Sequence, residues 1–247
     1  IKINNNDTNN HKNYTKMKKN YNDRVVWITG ASSGIGQELA REFARQGARL
    51  VVSARRAEKL EALAQELKAN DVLALPLDVT DSAAVVKSVG RVEAKMGRID
   101  VLVNNSGISQ RAKTADAGLD VDRRVMEVNF FGAVALTKAV LPLMLKQGYG
   151  QLAVTTSIVG KFGFPLRSAY SASKHALQGF FDSLRAEYPQ LDVSIIIPGR
   201  IQTEISVNAL DKDGKAYGKM DAGQQEGLDA VVAARRIVGQ IDRKSVV

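Results

Sequence analysis

Arg24-Val-Val-Trp-Ile-Thr-Gly-Ala-Ser-Ser-Gly-Ile-Gly36 is the stretch that decides the fold. Arg24 to Thr29 is a short, apolar, β-branched run, as expected of a strand buried on both faces. Gly30 to Gly36 is a glycine-rich turn. Gln37 to Gln46 then carries Leu39, Ala40, Phe43 and Ala44 at helical spacing, and Gly47 closes the helix. Gly30 lets the chain turn sharply at the strand end. Gly34 removes a side chain where backbone must approach a pyrophosphate, and Gly36 lets the helix pack closely on the sheet. Ser32, Ser33 and Ile35 lie in the same turn, where free N–H groups and the positive end of the helix dipole suit phosphate. The spacing differs from G-x-G-x-x-G, and no Lys-Ser/Thr follows the last glycine, so the turn is not a P-loop.

Outward from this turn, strands and helices alternate. Strands are predicted at Leu50 to Ser53, Val72 to Leu77, Ile99 to Asn104, Leu152 to Thr156 and Val193 to Ile197. Helices are predicted at Glu58 to Lys68, Ser82 to Met96, Ala169 to Tyr188, and as one long element from Val121 to Leu145 with Pro142 near its end. The strands read as continuous apolar runs. This predicts an α/β fold: a single Rossmann-like, doubly wound parallel sheet with helices on both faces. Ligands of such sheets bind at the carboxyl ends of the strands, so the residues just after each strand carry the information.

The second strand runs into Ser53-Ala-Arg-Arg56. NAD sites usually place a carboxylate here to hold the ribose hydroxyls. Its absence, with two arginines able to form forked bonds to a 2′-phosphate, points to NADP(H). Arg55 is read as the contact and Arg56 as a bystander. After the third strand, Asp78-Val79 can meet the adenine amine, or Asp78 can cap the next helix in competition with Thr80, Asp81 and Ser82. After the fourth, Asn104-Asn105-Ser106-Gly107 offers amides that can bridge strands, and Gly107 leaves room for a cofactor.

Ser157 ends the fifth strand, and Tyr170 and Lys174 share one helix face at i, i+4. An ammonium beside the phenol, with the positive nicotinamide of an oxidised cofactor, favours phenolate, so Tyr170 can exchange a proton near neutral pH. Lys174 can also hold the nicotinamide ribose. Ser157 can donate a hydrogen bond to the substrate oxygen as charge develops. The small residues of Ser168-Ala-Tyr-Ser-Ala-Ser-Lys-His-Ala176 let both ligands approach. His175 is read as structural.

In order and spacing, Thr29 to Gly36, Asn104 to Gly107, Asn129, Ser157, Tyr170, Lys174 and Pro198-Gly199 resemble the short-chain dehydrogenase/reductase family, over roughly Arg24 to Ile241. Lys161 to Tyr170, Gln178 to Glu187 and the Tyr217-Gly-Lys-Met220 region are most similar to its dehydrogenase/reductase 7 and 7B-like subgroup. The resemblance implies a Ser/Tyr/Lys site, with Asn129 holding a water in a proton relay through Lys174. It implies that Pro198, Gly199 and Thr203 meet the cofactor, with Thr203 on the nicotinamide carboxamide. It also implies a homodimer or homotetramer through the long helices containing Asn129 and Tyr170. Ser106 stands where many members have Ala, and the N-terminal membrane anchor of animal members is not found.

The whole chain bounds the rest. Its 247 residues suit one domain. With no cysteine, disulfides, thiolate zinc sites and thiol nucleophiles are excluded; a reducing compartment fits, and the cytoplasm is the expected location. No secretory signal is seen, and no apolar run approaches the ~20 residues that span a bilayer. Of the net charge of +9, Ile1 to Asp23 holds five Lys against two Asp (+3) and Asp242 to Val247 holds two cations against one Asp (+1), so the body carries +5. That is a mixed surface with a modest basic lean, and no nucleic-acid partner is expected. Residues 1–22 read as a disordered, non-core leader with Met17 as a candidate start, 24–241 as the catalytic domain. Asp242-Arg-Lys-Ser-Val-Val247 is expected to be a read-through artefact of adapter DNA rather than a final strand at Ser245 to Val247.

The expected substrate is a ketone or aldehyde, or the matching alcohol, on a lipophilic body. Asn208 to Gly227 is the segment expected to cover it. Tyr217 and Met220 either line an apolar pocket or sit on a surface loop. Two other readings share these residues: a 3-oxoacyl-thioester reductase and a non-catalytic dinucleotide-binding regulator. A pure binding module has no need of a tuned phenol, which argues against the second.

Overall fold

The computed structural model describes residues 21–242. Six strands, β1 (Val25–Thr29), β2 (Arg49–Ser53), β3 (Val72–Ala74), β4 (Val101–Asn104), β5 (Gln151–Thr155) and β6 (Asp192–Ile196), form one parallel sheet in the order β3-β2-β1-β4-β5-β6. Helices α1 (Gly34–Arg45), α2 (Ala57–Glu66), α3 (Ser82–Met96), α4 (Leu119–Met126), α5 (Gly132–Gln147), α6 (Ser168–Glu187), α7 (Ala222–Gln225) and α8 (Ala230–Asp242) connect or follow them. Alternate strand residues feed two core layers, as the period of a strand requires. Val26 and Ile28 of β1 pack with Leu39 and Phe43 of α1, Leu60 and Leu63 of α2, and Ile237 and Val238 of α8. Val25 and Trp27 face the other way, onto Val92 of α3, Leu136 and Val140 of α5, and Phe181 of α6. Strand order reverses at β1, which pairs with both β2 and β4. The crevice over the carboxyl ends of β1 and β4 is therefore where a ligand can enter.

Four expectations change. β3 stops at Ala74 rather than Leu77, because Pro76 has no N–H to give the ladder; Leu75 and Leu77 still donate to the Val52 and Ala54 carbonyls. The long helix is not uniform: a π-turn, Glu127–Phe131, separates α4 from α5. Taken together, Leu119–Gln147 is 29 residues long and, by length and composition, apolar enough to cross a membrane. Glu127, Asn129 and Lys138 interrupt the run and hide it from a search for unbroken apolar sequence. In the fold its Val121, Val125, Leu136, Val140 and Met144 are buried. Finally, Tyr21 belongs to the body and not to the leader: it is fully buried, edge-on to Phe43 with centroids 4.8 Å apart. The candidate start at Met17 and the Ser245 to Val247 segment lie outside the described residues.

Candidate active site

The glycine turn opens a groove of about 510 Å³ over the switch point. Gly30 takes φ +67°, outside the range a side chain favours. A Cβ on Gly36 would lie 2.3 Å from the Gly30 carbonyl oxygen, so only glycine lets α1 start this close to β1. The helix begins at Gly34, three residues before the predicted start, which brings its free N–H groups to the groove. Ser32, Ser33, Gly34 and Ile35 all line it. Asn105 ties the strand ends together: its Nδ2 donates to the Thr29 carbonyl (3.2 Å) and its Oδ1 accepts from Thr155 Oγ1 (3.1 Å). Asn104 instead donates to Thr137 Oγ1 of α5 (2.9 Å).

At the β2 end, Arg55, Arg56, Asp78 and Val79 all line the groove. Arg56, read from the sequence as a bystander to the cofactor, has a structural partner in the turn. Its Nη2 donates to Ser32 Oγ and Ser33 Oγ, each at 2.9 Å, bracing the glycine turn. Asp78 does not cap α3; Asp81 does, accepting from Ala84 N at 2.9 Å. The Asp78 carboxylate accepts from Thr80 N (3.0 Å) and Thr80 Oγ1 (2.8 Å). Burial opposes its ionisation, but these two bonds and the Arg55 charge hold it below the usual carboxylate range.

At the other end, Ser157, Tyr170 and Lys174 meet. Tyr170 and Lys174 are buried, and Ser157 is half-buried. The Ser157 hydroxyl bonds the Tyr170 phenol, and the Lys174 ammonium lies 5.7 Å from the Tyr170 ring centre. Lys174 Nζ donates to the Thr155 carbonyl at 2.8 Å. Burial lowers this lysine to about 8 and pushes the Tyr170 phenol up; the Ser157 bond and the charges of Arg167 and Arg111 act against the latter rise. Asn129 sits in the π-turn, fully enclosed. Its Oδ1 accepts from Ile108 N (2.8 Å), and its Nδ2 donates to the Ile108 carbonyl (2.9 Å) and Ser173 Oγ (3.0 Å). A Cβ on Gly107 would come within 3.3 Å of Asn129 Oδ1 and 3.5 Å of Lys174 Nζ, so these two side chains flank one bare point of the groove wall.

Pro198, Gly199 and Thr203 line the groove opposite the glycine turn. Thr203 Cγ2 lies 3.1 Å from where a Cβ of Gly34 would be. Gln224, which the sequence does not single out, holds Thr203 by an Nε2–Oγ1 bond of 3.1 Å. Asn208, Leu210 and Ala216 reach the groove from the covering segment; Tyr217 and Met220 are exposed and do not line it, but Met220 lines a neighbouring cavity of about 410 Å³ together with Thr203, Glu204 and Gln224, which also line the groove. Arg111, Arg167 and Asp221, also unremarked in the sequence, form a cluster near Tyr170: both arginines donate to Asp221 Oδ2 at 3.1 Å. His175 stays out of the groove, its Nδ1 2.8 Å from the Ser171 carbonyl. Among the described residues no cluster of metal-ligating side chains occurs.

This geometry can be set beside known proteins. A family model described as short chain dehydrogenase matches residues 24–214. The chain is 46% identical to a Drosophila melanogaster protein named dehydrogenase/reductase SDR family protein 7-like, over 93% of this chain and 73% of that one. It is 44% identical to the Bos taurus dehydrogenase/reductase SDR family member 7B, over 94% and 74%. Among solved structures, a Burkholderia phymatum short chain dehydrogenase/reductase in complex with NAD superposes with a TM-score of 0.82 at 22% identity, over 94% of this chain and 89% of that one. A Thermococcus sibiricus alcohol dehydrogenase complexed with 5-hydroxy-NADP gives 0.77 at 29%, over 87% and 88%.

Proposed function

The chain belongs to the short-chain dehydrogenase/reductase family, and from that premise we propose that it moves hydride between NADP(H) and the carbonyl or alcohol carbon of a lipophilic small molecule. One observation carries this reading: Ser157, Tyr170 and Lys174 converge at one end of a groove whose other end holds two arginines and, at the close of β2, no carboxylate. When bound, the dinucleotide supplies or accepts the hydride itself.

The residues present fit such a group. The N–H groups at the start of α1, with Ser32 and Ser33, suit a pyrophosphate. Arg55 suits a 2′-phosphate, with Arg56 beside it already bound to the serines. All lining the groove, Asp78 and Val79 would meet the adenine, Asn105 and Gly107 the middle of the dinucleotide, and Pro198, Gly199 and Thr203 its nicotinamide end. Lys174 would hold the nicotinamide ribose. In carbonyl reduction Tyr170 gives its proton to the substrate oxygen and Ser157 steadies that oxygen with a hydrogen bond. Lys174, lowered to about 8, readily passes a proton toward the phenol. The Asn129 amide is already bonded to Ile108 and Ser173. The Nδ2 hydrogens are thus used, and a relay water would be held by the remaining lone pair of Asn129 Oδ1 or by main-chain oxygen in the π-turn, where the helix ladder is interrupted.

The same reading extends to assembly as a homodimer or homotetramer through the outer faces of α5 and α6. Phe131 is half-exposed there and packs edge-on against Phe130, which meets Phe180 of α6.

Fluorescence titration of the full chain with NADPH and NADH tests the cofactor. NADPH should bind at least about tenfold more tightly, and Arg55→Ala should weaken NADPH while leaving NADH nearly unchanged. Equal affinities for the two dinucleotides, or equal losses in the variant, would remove the NADP(H) assignment.

A further inference from the structure

Arg111, Arg167 and Asp221 come from three distant segments: the loop after β4, the N-cap of α6 and the N-cap of α7. Both guanidinium groups donate to the same oxygen, Asp221 Oδ2, while Asp221 Oδ1 accepts from Gln224 N at 3.2 Å. The Arg111 side chain is only 6% exposed and that of Arg167 15%. Two cations against one carboxylate leave a net positive charge in a region largely shielded from water, where charge acts over longer range. Two main-chain links tie the cluster to the neighbourhood of Tyr170. Arg167 precedes Tyr170 by one helical turn on α6. Arg111 N donates at 2.7 Å to the carbonyl of Leu210, a residue packed with Tyr170. Val121, Val125, Val159 and Ala169 complete the apolar packing around Tyr170.

We propose that Arg111 and Arg167, clamped by Asp221, are positioning residues that set the proton affinity of Tyr170 from outside the Ser157/Tyr170/Lys174 set. The inference rests on the reading of Tyr170 as the proton donor. Lys174 alone is a poor source of steady charge, because burial brings it to about 8 and its ammonium is spent on the Thr155 carbonyl. Burial also lowers both guanidinium groups, but arginine stays charged throughout the working range. The other groups facing this corner are the Ser157 hydroxyl, which acts on the phenol; Gln110, whose Oε1 accepts from Ala169 N and whose Nε2 reaches Asp122; Tyr217, which interacts with Arg111; and Arg200, a third cation, which acts on Arg167 and lies over Gly223 of α7. Arg200 is not among the charges that act on Tyr170 itself. Asp221 also closes the cluster onto α7, whose Gln224 holds Thr203, so the segment covering the groove and the charge at Tyr170 are set by one carboxylate.

Opposite charge changes should move Tyr170 in opposite directions, which a merely structural role would not do. Tyr170 is followed by ultraviolet difference titration of its phenolate, with Tyr170→Phe as the blank, in parallel with the pH profile of kcat/KM for NADPH-dependent reduction of an aromatic aldehyde. Arg167→Gln and Arg111→Gln should each raise the Tyr170 midpoint and the alkaline limb by about one pH unit. Asp221→Asn should lower both, and Arg167→Lys, which keeps the charge, should leave them in place. Should Arg111→Gln fail to fold, the Arg167 and Asp221 variants still decide. An unmoved midpoint in those two, or movement in the same direction, overturns the proposal. Midpoints that move as expected without aldehyde turnover would support it and count against the carbonyl-reduction reading instead.

Discussion

Tyr170 is surrounded by groups that disagree about its proton. Burial pushes the phenol up, while the Ser157 bond and the charges of Arg167 and Arg111 pull it down. Removing the hydroxyl should separate binding from chemistry. Tyr170→Phe is expected to lose at least about a hundredfold in turnover while the dinucleotide still binds, measured by steady-state kinetics beside fluorescence titration. Lys174 gives a second test at this scale. Its folded value of about 8 lies below the ordinary 10.5, so the folded state carries a buried charge that burial disfavours. For a base shifted down, that penalty is fully present below the folded value and is relieved as pH rises toward the unfolded one. Lys174→Met should therefore be more stable than the parent at neutral pH without ligand, by about 2–3 kcal/mol, with the gap closing toward pH ~10. Urea unfolding at the two pH values measures it, and a gap that widens with pH would refute the burial argument.

The elements matter here through their ends. α1 can start at Gly34 only because the next turn carries no Cβ against the Gly30 carbonyl. Gly36→Ala would force strand and helix apart. We expect a cost of about 1–3 kcal/mol in stability and a larger proportional loss of dinucleotide affinity, because the N–H groups that suit the pyrophosphate move with the helix. Thermal denaturation and titration read the two effects separately; an unchanged affinity would show that the helix start does not hold the phosphates. The π-turn Glu127–Phe131 is the matching feature on the other side of the groove. It carries the buried Asn129 to Ile108 and Ser173, so that one side chain joins the loop after β4 to α6.

For the molecule as a whole, the sheet supplies a rigid floor and the variable parts are laid over its carboxyl edge. The two arginines that bind Asp221 Oδ2 knit the covering segment to the loop after β4 and to the start of α6. Assembly is the remaining question at this scale. Phe131 is 50% exposed and packs on the partly buried Phe130, itself in contact with Phe180, at the surface proposed for assembly. Phe131→Glu should shift the protein toward monomer in sedimentation velocity, with little change in the unfolding midpoint of the protomer. An unchanged sedimentation coefficient would remove the proposed contact at Phe131.

The alternation of buried strands and amphipathic helices, the glycine turn and the Tyr-x-x-x-Lys spacing are local patterns, set by periodicity and backbone freedom over a few residues. They were therefore legible in the sequence, which placed the parallel sheet, the groove and its Ser157, Tyr170 and Lys174 end. What needed the tertiary structure were contacts between residues far apart in the chain. Tyr21 looked like part of a polar leader until its ring was found against Phe43. Nothing near Arg56 in the sequence showed that Ser32 and Ser33, more than twenty residues earlier, take its guanidinium. The π-turn has no sequence period of its own. The Arg111–Asp221–Arg167 cluster spans 110 residues between its first two members, so no window along the chain could have shown that two buried cations share one carboxylate beside the tyrosine. Charge effects depend on distance and burial, and only the folded chain sets both.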